Sequence, residues 1–531
     1  MLIFIGAILG GILVRTPLSS TSASGVVTKQ GINEDYVEAL SVIDNSYVTT
    51  VEKEKVLESS VQGMLWSLDP HSSFFTKAEF KKLFEDQSSR FYGIGVTILQ
   101  HRDGTYVQSI VPGTPAEKAG LRYGDRFVEV DGKDAKDYTS QEVSKNVRGE
   151  RGTPVKIKME RVGFDKPLEF EIVRDGVPLP SIRNFFMLNT DTGYIGLSGG
   201  FQETTSDELD DATKQLKTLG MKKLVLDLRG NPGGLLPQAI EVSSRYLERG
   251  QTVVSVKGRG KNAVSKEYRA IGGGDTQTPL VVIINGGSAS ASEIVAGAIQ
   301  DYARGILVGS DSFGKGLVQK IFPMQGGTGL TLTIQRYYTP FGRSIQKDYS
   351  SGSIYDYYTQ HKDETKAAGL EEEKSKVPMV ETAKGRMFSN GRGIEPDLKS
   401  PSLVFNVVRS KINEAAFFFT RQLVSGKISG FDVYKVEKQR FEGILKAEDF
   451  VITDKLIDAF QEFIAKEKEN ALTNANIKAE LDYVKSRLRE EIATANYSSE
   501  AGQQVLLESD PQVLKAVESM PEAIKLLQNA E

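Results

Sequence analysis

The sequence predicts a multidomain α+β protein with an α/β core, an inserted β domain and helical regions at both ends. Apolar residues recur at helical spacing before about residue 88 and after about residue 401. Short β-rich runs separated by Gly, Pro and Asp turns occupy 89–175. Strand and helix patterns then alternate between 176 and 340, which indicates an α/β layered core. A chain of 531 residues has room for three or four domains of ordinary size.

The first 24 residues are predicted to direct export. Leu2–Val14 is an uninterrupted run of apolar residues and glycine, followed by Arg15 and a Ser/Thr-rich stretch. This run is shorter than the roughly 20 residues of a membrane-spanning helix, and its length suits the apolar region of a signal peptide. We expect a periplasmic or other extracytoplasmic protein, with this segment either cleaved or kept as an inner-membrane anchor. The alternative is a buried N-terminal helix, which the absence of a polar face in the run disfavours. The lack of cysteine excludes a lipoprotein anchor.

Three further regions complete the predicted order. Residues 25–88 are predicted to be helical, because the apolar residues of Tyr36–Leu68 follow helical spacing in two stretches that Asp69-Pro70 ends. The β domain follows over 89–175. The core is predicted over 176–400, with strands and helices at Leu224–Leu228, Leu235–Leu247, Leu280–Ile284, Ala291–Tyr302 and Ile306–Val308.

Two segments extend this plan. A polar, charged insertion is predicted near 350–384, inside the core region. Residues 401–531 are predicted to form a helical C-terminal extension that carries no catalytic constellation. The extension could mediate self-association, so a homo-oligomer stays open.

Composition narrows the chemistry available to the chain. Cysteine is absent and the three histidines, His71, His101 and His361, each lie in a turn or a charged stretch. Thiol chemistry, cysteine–zinc sites and disulfides are therefore excluded, and an enzyme built from this chain needs a base other than histidine. We predict no metal site and no cofactor. The net charge of -4 gives no basic excess, so no nucleic-acid partner is expected.

One turn carries a candidate nucleophile. Asn285–Glu293 reads Asn-Gly-Gly-Ser-Ala-Ser-Ala-Ser-Glu and lies between a predicted buried strand and a predicted helix. A serine at a helix N-terminus gains from the helix dipole, and the free backbone N–H groups there can bind an oxyanion. A serine-rich N-cap without chemistry is the plain alternative, and the segment alone favours it.

Lys315 is the candidate base. It stands between Gly314 and Gly316 after the strand Ile306–Val308, and a strand that completes a βαβ unit returns the chain toward the serine turn. Burial in an apolar pocket lowers the pKa of a lysine toward neutrality, where its amine can accept a proton. The alternative is a solvated loop lysine, the usual fate of this residue type.

Taken together, these motifs resemble the carboxyl-terminal processing, or tail-specific, protease family. The similar stretches span roughly residues 35–400 and are Asp69–Ser72, Asp227–Gly234, Gly287–Glu293, Gln300–Tyr302, Phe313–Gly316 with Gln319, Tyr338–Gln346 and Gly393–Asp397. The resemblance implies an α/β protease core of the ClpP/crotonase-like type. This chain departs from shorter relatives between Gln346 and Gly393, which those relatives join almost directly, and by its C-terminal extension.

The resemblance also implies roles for individual residues. In this family the middle serine of the Ser-Ala-Ser-Ala-Ser stretch is the nucleophile and a lysine 25 residues later is the base, which are Ser290 and Lys315 here. Gln319 would orient the lysine. The N–H of Ala291 would supply one oxyanion donor and a glycine of Gly233-Gly234 the other, with the choice between the two open. The implied activity is that of a serine endopeptidase working through an acyl-enzyme.

Residues 92–175 resemble a PDZ domain. The residues matching its carboxylate-binding loop are Gly93, Ile94, Gly95 and Val96, and Val111–Leu121 followed by Gly124-Asp125 is similar to the next PDZ stretch. Backbone N–H groups of such a loop hold the terminal carboxylate of a peptide that adds as a strand to the sheet edge. The resemblance implies protein substrates captured by apolar C-terminal tails. In relatives this domain also gates the active site, and Arg148 is a candidate for relaying occupancy. The alternative is a small β domain with ordinary turns.

Two alternatives come from other classes of protein. One is a non-catalytic PDZ scaffold on an inactive protease core, which the joint presence of Ser290, Lys315 and Gln319 disfavours. The other is a Ser-Lys hydrolase of peptidoglycan precursors, because Ser312-x-x-Lys315 and Ser344-x-x-Lys347 both match the Ser-x-x-Lys signature. Two matches in one chain show how weak that pattern is, and the companion Lys-Thr-Gly is absent.

Overall fold

The computed structural model describes residues 28–87, 90–259, 264–350, 357–358, 378–441, 445–467 and 471–528. It divides into two compact units, Met1–Met64 and Leu65–Glu531. The predicted export segment 1–24 lies outside the described residues. In the part of the chain that the structure describes, none of the helices combines the length and the apolar composition needed to cross a membrane.

The first unit contains two helices, α1 (Lys29–Ser46) and most of α2 (Lys53–Trp66). Thr28 caps α1 by accepting a hydrogen bond from the N–H of Gly31. The hydroxyls of Tyr36 and Ser60 lie 2.6 Å apart and join the two helices. The two helical stretches predicted over Tyr36–Leu68 are therefore confirmed.

A β domain follows. Its elements are β2 (Arg90–Gly93), β3 (Val96–His101), β4 (Gly104–Ile110), α4 (Pro115–Ala119), β5 (Arg126–Val130), β6 (Lys133–Asp134), α5 (Ser140–Val147), β7 (Pro154–Glu160), β8 (Leu168–Val173) and β9 (Asp175–Pro178). The main sheet has the order β3-β4-β5-β7-β8, so β3 is an edge strand, and α5 packs beside it. Strands β2 and β9 pair with each other where the chain enters and leaves the domain.

The core is built on a six-stranded sheet with the order β10-β11-β12-β15-β16-β21. All neighbouring pairs are parallel except β10 with β11. The elements that form this layer are β10 (Ile182–Met187), β11 (Thr192–Leu197), α6 (Thr205–Thr218), β12 (Lys223–Asp227), α7 (Leu236–Ser244), β15 (Leu280–Ile284), α8 (Ala291–Asp301), β16 (Ile306–Gly309) and β21 (Leu398–Lys399). The predicted strand–helix alternation is confirmed, with boundaries that differ from the predicted ones by at most three residues.

A second sheet lies in the same unit and brings in a strand that the sequence did not predict. Its strands are β1 (Ser73–Phe75), β13 (Thr252–Lys257), β14 (Lys266–Arg269), β17 (Leu317–Pro323) and β18 (Gly329–Tyr338). Helix α3 (Lys77–Gln87) follows β1, and β19 (Met379–Glu381) and β20 (Met387–Ser389) form a separate two-stranded sheet. Residues 73–75 fall in the region predicted to be helical, yet they pair antiparallel with β18. Three residues are too few for a periodic pattern, and the pairing partner lies far along the chain.

The C-terminal extension is helical, as predicted. Its helices are α9 (Val407–Val424), α10 (Asp454–Lys466), α11 (Asn474–Ala479), α12 (Leu481–Asn496), α13 (Ser499–Leu507), α14 (Pro511–Glu518) and α15 (Met520–Gln528). Strand β15 is buried along its whole length. Leu280, Val282 and Ile284 face the α6–α8 layer, whereas Val281 and Ile283 pack against residues of α14 and α15. The extension therefore supplies the second covering layer that a parallel sheet requires.

The extension also contacts the β domain. His101 stacks on Phe417 of α9 with ring centroids 4.0 Å apart. The hydroxyl of Tyr123 donates to Glu491 of α12 at 2.6 Å. The extension thus packs on both the β domain and the core.

Candidate active site

The Ser290 turn joins the carboxyl end of β15 to the first residue of α8. Ser290 has φ 55°, a conformation that costs a non-glycine residue free energy and is typical of functional turns. The hydroxyl of Ser288 donates to the carbonyl of Leu228 at 2.8 Å, and that of Ser292 donates to the carbonyl of Asn231 at 2.9 Å. Both flanking serines are fully buried and tie this turn to the neighbouring loop. The geometry separates Ser290 from its two neighbours, which have structural hydrogen bonds.

A buried glutamate, Glu293, connects the serine turn to the lysine loop. Its Oε2 accepts from the backbone N–H of Ser290 at 2.8 Å and from that of Lys315 at 2.9 Å. Its Oε1 accepts from the hydroxyl of Ser312 at 2.5 Å and from the N–H of Gly314 at 2.7 Å. One carboxylate oxygen thus holds the backbones of both candidate dyad residues. Burial raises the pKa of Glu293, while the four hydrogen bonds oppose that rise.

Lys315 lies in a largely buried pocket. Burial lowers the pKa of its ammonium, and the charges of Glu293 and Asp69 act in the opposite direction. The hydroxyl of Tyr337 donates to the carbonyl oxygen of Lys315 and lies near the Ser290 side chain. Tyr337 therefore lies beside both residues.

The glycine-rich loop after β12 lies against the serine turn. A Cβ on Gly233 would come within 2.7 Å of the Cβ of Ser290 and 2.9 Å of the nitrogen of Ala291, so only glycine fits there. The N–H of Gly233 donates to Oδ1 of Asn231 at 2.9 Å. Among the described residues, the N–H groups of Gly234 and Ala291 have no acceptor. These two N–H groups are therefore candidate oxyanion donors.

Gln319 lies on β17, beside a bulge between Val318 and Gln319. The register places the extra residue of this bulge, Ile334, on the partner strand β18. Four residues of straight strand would separate Lys315 from Gln319 by about 13 Å. The side-chain Nε2 of Gln319 is buried and has no hydrogen-bond partner within the described ranges. Such a group is available to a neighbour or a ligand.

An aromatic cluster borders the lysine, and sequence reasoning missed it. His71 packs edge-on against Phe313, Tyr357 and Tyr358. Burial and the nearby charge of Lys315 lower the pKa of His71 to about 3, so its imidazole is neutral at physiological pH. The motif Asp69–Ser72 was the available signal, because it follows the family pattern, but nothing local shows that it folds against Lys315.

A second buried lysine, Lys347, adjoins this cluster. Its Nζ donates to the carbonyl of Tyr357 at 2.8 Å and lies 4.1 Å from the centre of the Phe313 ring. Burial lowers the pKa of Lys347 to about 8.

The loop predicted to bind a carboxylate joins β2 to the edge strand β3. Gly93 ends β2, Ile94 is buried, Gly95 has φ 89° and Val96 begins β3. A Cβ on Gly95 would lie 2.2 Å from the Thr114 side chain. The guanidinium of Arg148 lies 4.2 Å from the centre of the Phe91 ring, beside this loop. The open edge of β3 next to α5 suits an added peptide strand.

Within the described part of the chain, no group of three or more His, Cys, Asp or Glu side chains could hold a metal ion.

Comparison with known proteins assigns the family. Residues 191–359 match the model of Peptidase family S41 and residues 93–172 match the PDZ domain model. The "Carboxy-terminal-processing protease" of Bartonella bacilliformis is 40% identical over 307 residues, which cover 57% of this chain and 70% of that protein. The chain belongs to the carboxy-terminal processing protease family, Peptidase family S41. It is accordingly a serine-type peptidase with a PDZ domain, and the resemblance seen in the sequence is confirmed.

Two further comparisons describe its relatives. The "Carboxy-terminal processing protease CtpA" of Bacillus subtilis is 33% identical over 311 residues, covering 58% of this chain and 66% of that protein. A solved structure titled "Photosystem II D1 C-terminal processing protease" is 26% identical, covers 70% of this chain and 88% of its own, and has a TM-score of 0.36. The two family models cover residues 93–172 and 191–359, so neither reaches the C-terminal extension of this S41 peptidase.

We predict that Glu293→Gln lowers kcat by about 100-fold with a much smaller effect on KM. An amide nitrogen cannot accept, so either the N–H groups of Ser290 and Lys315 or the O–H of Ser312 and the N–H of Gly314 would face another donor. Either arrangement disturbs the loop that carries Lys315, and the first also moves the backbone of Ser290. Steady-state kinetics on a peptide substrate measure the effect. The control is Glu267→Gln, which removes an exposed carboxylate paired with Arg269. Equal kcat in wild type and Glu293→Gln would contradict the positioning role of Glu293.

Proposed function

We propose that this S41 peptidase hydrolyses peptide bonds with a Ser290–Lys315 pair and selects exported proteins by their C-terminal tails. The observation that carries this proposal is the buried carboxylate of Glu293, whose single oxygen accepts from the N–H groups of both residues. A structural serine turn and a solvated lysine would need no such connection. The lowered pKa of Lys315 is the property that a lysine base requires.

In the proposed reaction the neutral amine of Lys315 accepts the proton of the Ser290 hydroxyl as Oγ attacks the substrate carbonyl. The oxyanion that forms receives hydrogen bonds from the N–H groups of Ala291 and Gly234, whereas the N–H of Gly233 already donates to Asn231. Lys315 then donates its proton to the leaving amine, and the acyl-enzyme remains on Ser290. Water, deprotonated by Lys315, hydrolyses the ester and restores both residues.

Gln319 is proposed to orient the amine of Lys315. The buried side-chain nitrogen of Gln319, which has no hydrogen-bond partner among the described residues, supports this role. The Ser312-x-x-Lys315 match receives no comparable support, because the hydroxyl of Ser312 donates to Glu293.

Tail capture is proposed for the groove between β3 and α5. The carboxylate of a bound tail would lie at the loop Gly93–Val96, near the Arg148 guanidinium. We further propose that the protein acts outside the cytoplasm, which the apolar run Leu2–Val14 supports. In this proposal the run is either cleaved or kept as a membrane anchor. Self-association through the C-terminal extension is compatible with both.

The test of tail capture uses two forms of one long peptide with an apolar end. We expect the form with a free C-terminal carboxylate to be cleaved about 10- to 100-fold faster in kcat/KM than its C-terminal amide, because hydrogen bonds to the charged group are lost. A third peptide, with a free tail but an internal Glu changed to Gln, controls for the change in charge and should behave like the first. Equal cleavage of acid and amide would overturn the proposed tail selection.

A further inference from the structure

The C-terminal extension reaches the loop that carries the oxyanion glycines. Arg229 of this loop lies between two carboxylates, one on its own strand end and one on the extension. Its Nε and Nη2 donate to Asp227 at 2.6–3.0 Å. Its Nη1 donates to both carboxylate oxygens of Asp510, at 3.0 and 2.9 Å, and to Oε1 of Gln512 at 2.9 Å. The side chains of Arg229 and Asp510 are only 15% and 18% exposed, so water screens their ion pair weakly.

Asp510 is itself held in place. It is the N-cap of α14, where its Oδ1 accepts from the N–H groups of Gln512 and Val513 at 2.9 and 3.0 Å. Val513 of the same helix is buried against the core sheet, in the layer that covers Val281 and Ile283. The carboxylate of Asp510 is therefore a fixed point relative to that sheet.

From Arg229 the connection to the oxyanion donors is short. Gly230, the next residue, donates its N–H to Asn285 of the serine turn at 3.0 Å. Asn231 accepts from the N–H of Ala289 at 3.0 Å, and Gly233 lies against the Cβ of Ser290. A displacement of Arg229 would therefore move Gly234 relative to Ala291.

We propose that Asp510 is a positioning residue for proteolysis, supplied by the C-terminal extension, which fixes Arg229 and through it the Gly233-Gly234 loop. This inference rests on the proposed function, because it takes the N–H of Gly234 as an oxyanion donor. It gives the extension a part in catalysis besides covering the sheet. Neither family model reaches this residue.

The test separates the ion pair from the helix cap. Asn is as good an N-cap as Asp, so Asp510→Asn retains the cap but removes the charge that faces Arg229. We expect kcat to fall about 10-fold with KM nearly unchanged, since a misplaced oxyanion donor costs less than a deleted one, which costs about 100-fold or more. Asp510→Glu, which keeps the charge, should recover part of the lost kcat.

Two further measurements distinguish the proposed positioning role of Asp510 from a purely structural one. A peptide aldehyde forms a hemiacetal whose oxygen occupies the oxyanion site, and its affinity should fall with kcat in Asp510→Asn. Binding of a tail peptide to the PDZ domain should not change. The matched control is Glu508→Gln. This change removes the ion pair between Glu508 and Arg489, which belongs to the extension and does not involve the loop. It should leave kcat unchanged.

Three results would overturn the inference: unchanged kcat and aldehyde affinity in Asp510→Asn, an equal fall in Glu508→Gln, or no recovery in Asp510→Glu. Failure of the proposed function is a different result, namely cleavage that survives Ser290→Ala. The two can therefore be told apart with the same substrate.

Discussion

Ser290→Ala is expected to lower kcat by about 10⁴-fold or more while the protein stays folded. Removing the nucleophile of a serine peptidase leaves only the contribution of the oxyanion site and of substrate binding. The change deletes one oxygen from a side chain that makes no hydrogen bond to a backbone carbonyl, unlike Ser288 and Ser292. Cleavage of an unfolded protein with an apolar tail, followed by gel electrophoresis and by steady-state kinetics on a peptide, measures the loss.

The same turn provides two matched controls. Ser288→Ala and Ser292→Ala each remove a buried hydroxyl that donates to a carbonyl, so each should cost stability, about 1 kcal/mol. Their kcat should stay far above that of Ser290→Ala. If Ser290→Ala cleaves like wild type, or if one of the flanking variants shows the large loss instead, the nucleophile has been assigned to the wrong serine.

The core of this fold could be predicted from local pattern. Leu280–Ile284 is wholly apolar, which predicts a strand buried on both faces, and the Gly-Ser turn after it predicts the start of a helix. That pattern also implies a layer on each face of the sheet. It does not say which part of the chain forms the second layer. The apolar faces of helices such as α14 and α15 show that they pack on something, but they do not identify the segment on which they pack. Only the folded structure shows that the extension covers Val281 and Ile283.

The site follows the same division. The roles of Ser290 and Lys315 follow from the family resemblance, which the flanking motifs and the 25-residue spacing carry, and they stay predictions. Glu293 was visible as the last residue of the Ser-rich motif, yet its four hydrogen bonds depend on how the loop Ser312–Lys315 folds back. Tyr337 and His71 lie beside Lys315, and Asp510 contacts Arg229 of the neighbouring loop, only because distant segments come together, which no local periodicity reveals. For the same reason the sequence left the choice between Gly233 and Gly234 open, and the hydrogen bond from Gly233 to Asn231 is the observation by which our proposal favours Gly234.

Lys315→Met is expected to lower kcat by about 10³- to 10⁴-fold, since the methionine keeps the apolar contacts of the side chain but removes the base. In wild type, kcat/KM should rise with pH as Lys315 loses its proton, because the neutral amine is the active form. Burial lowers the pKa of Lys315, so this rise should lie below the ordinary pKa of a lysine. Lys315→Arg, whose guanidinium stays protonated, should be as inactive as Lys315→Met.

Lys347 is the alternative candidate for the catalytic base. Comparing variants of Lys315 and Lys347 therefore assigns the role to one of them. It is also buried, with a pKa of about 8, and stands near the same aromatic cluster. Its Nζ, however, donates to the carbonyl of Tyr357, whereas Glu293 binds the backbone of Lys315 and of Ser290. Lys347→Met should therefore keep the rising pH limb of kcat/KM at its wild-type position. Loss of that limb in Lys347→Met, together with activity in Lys315→Met, would transfer the role of the base to Lys347.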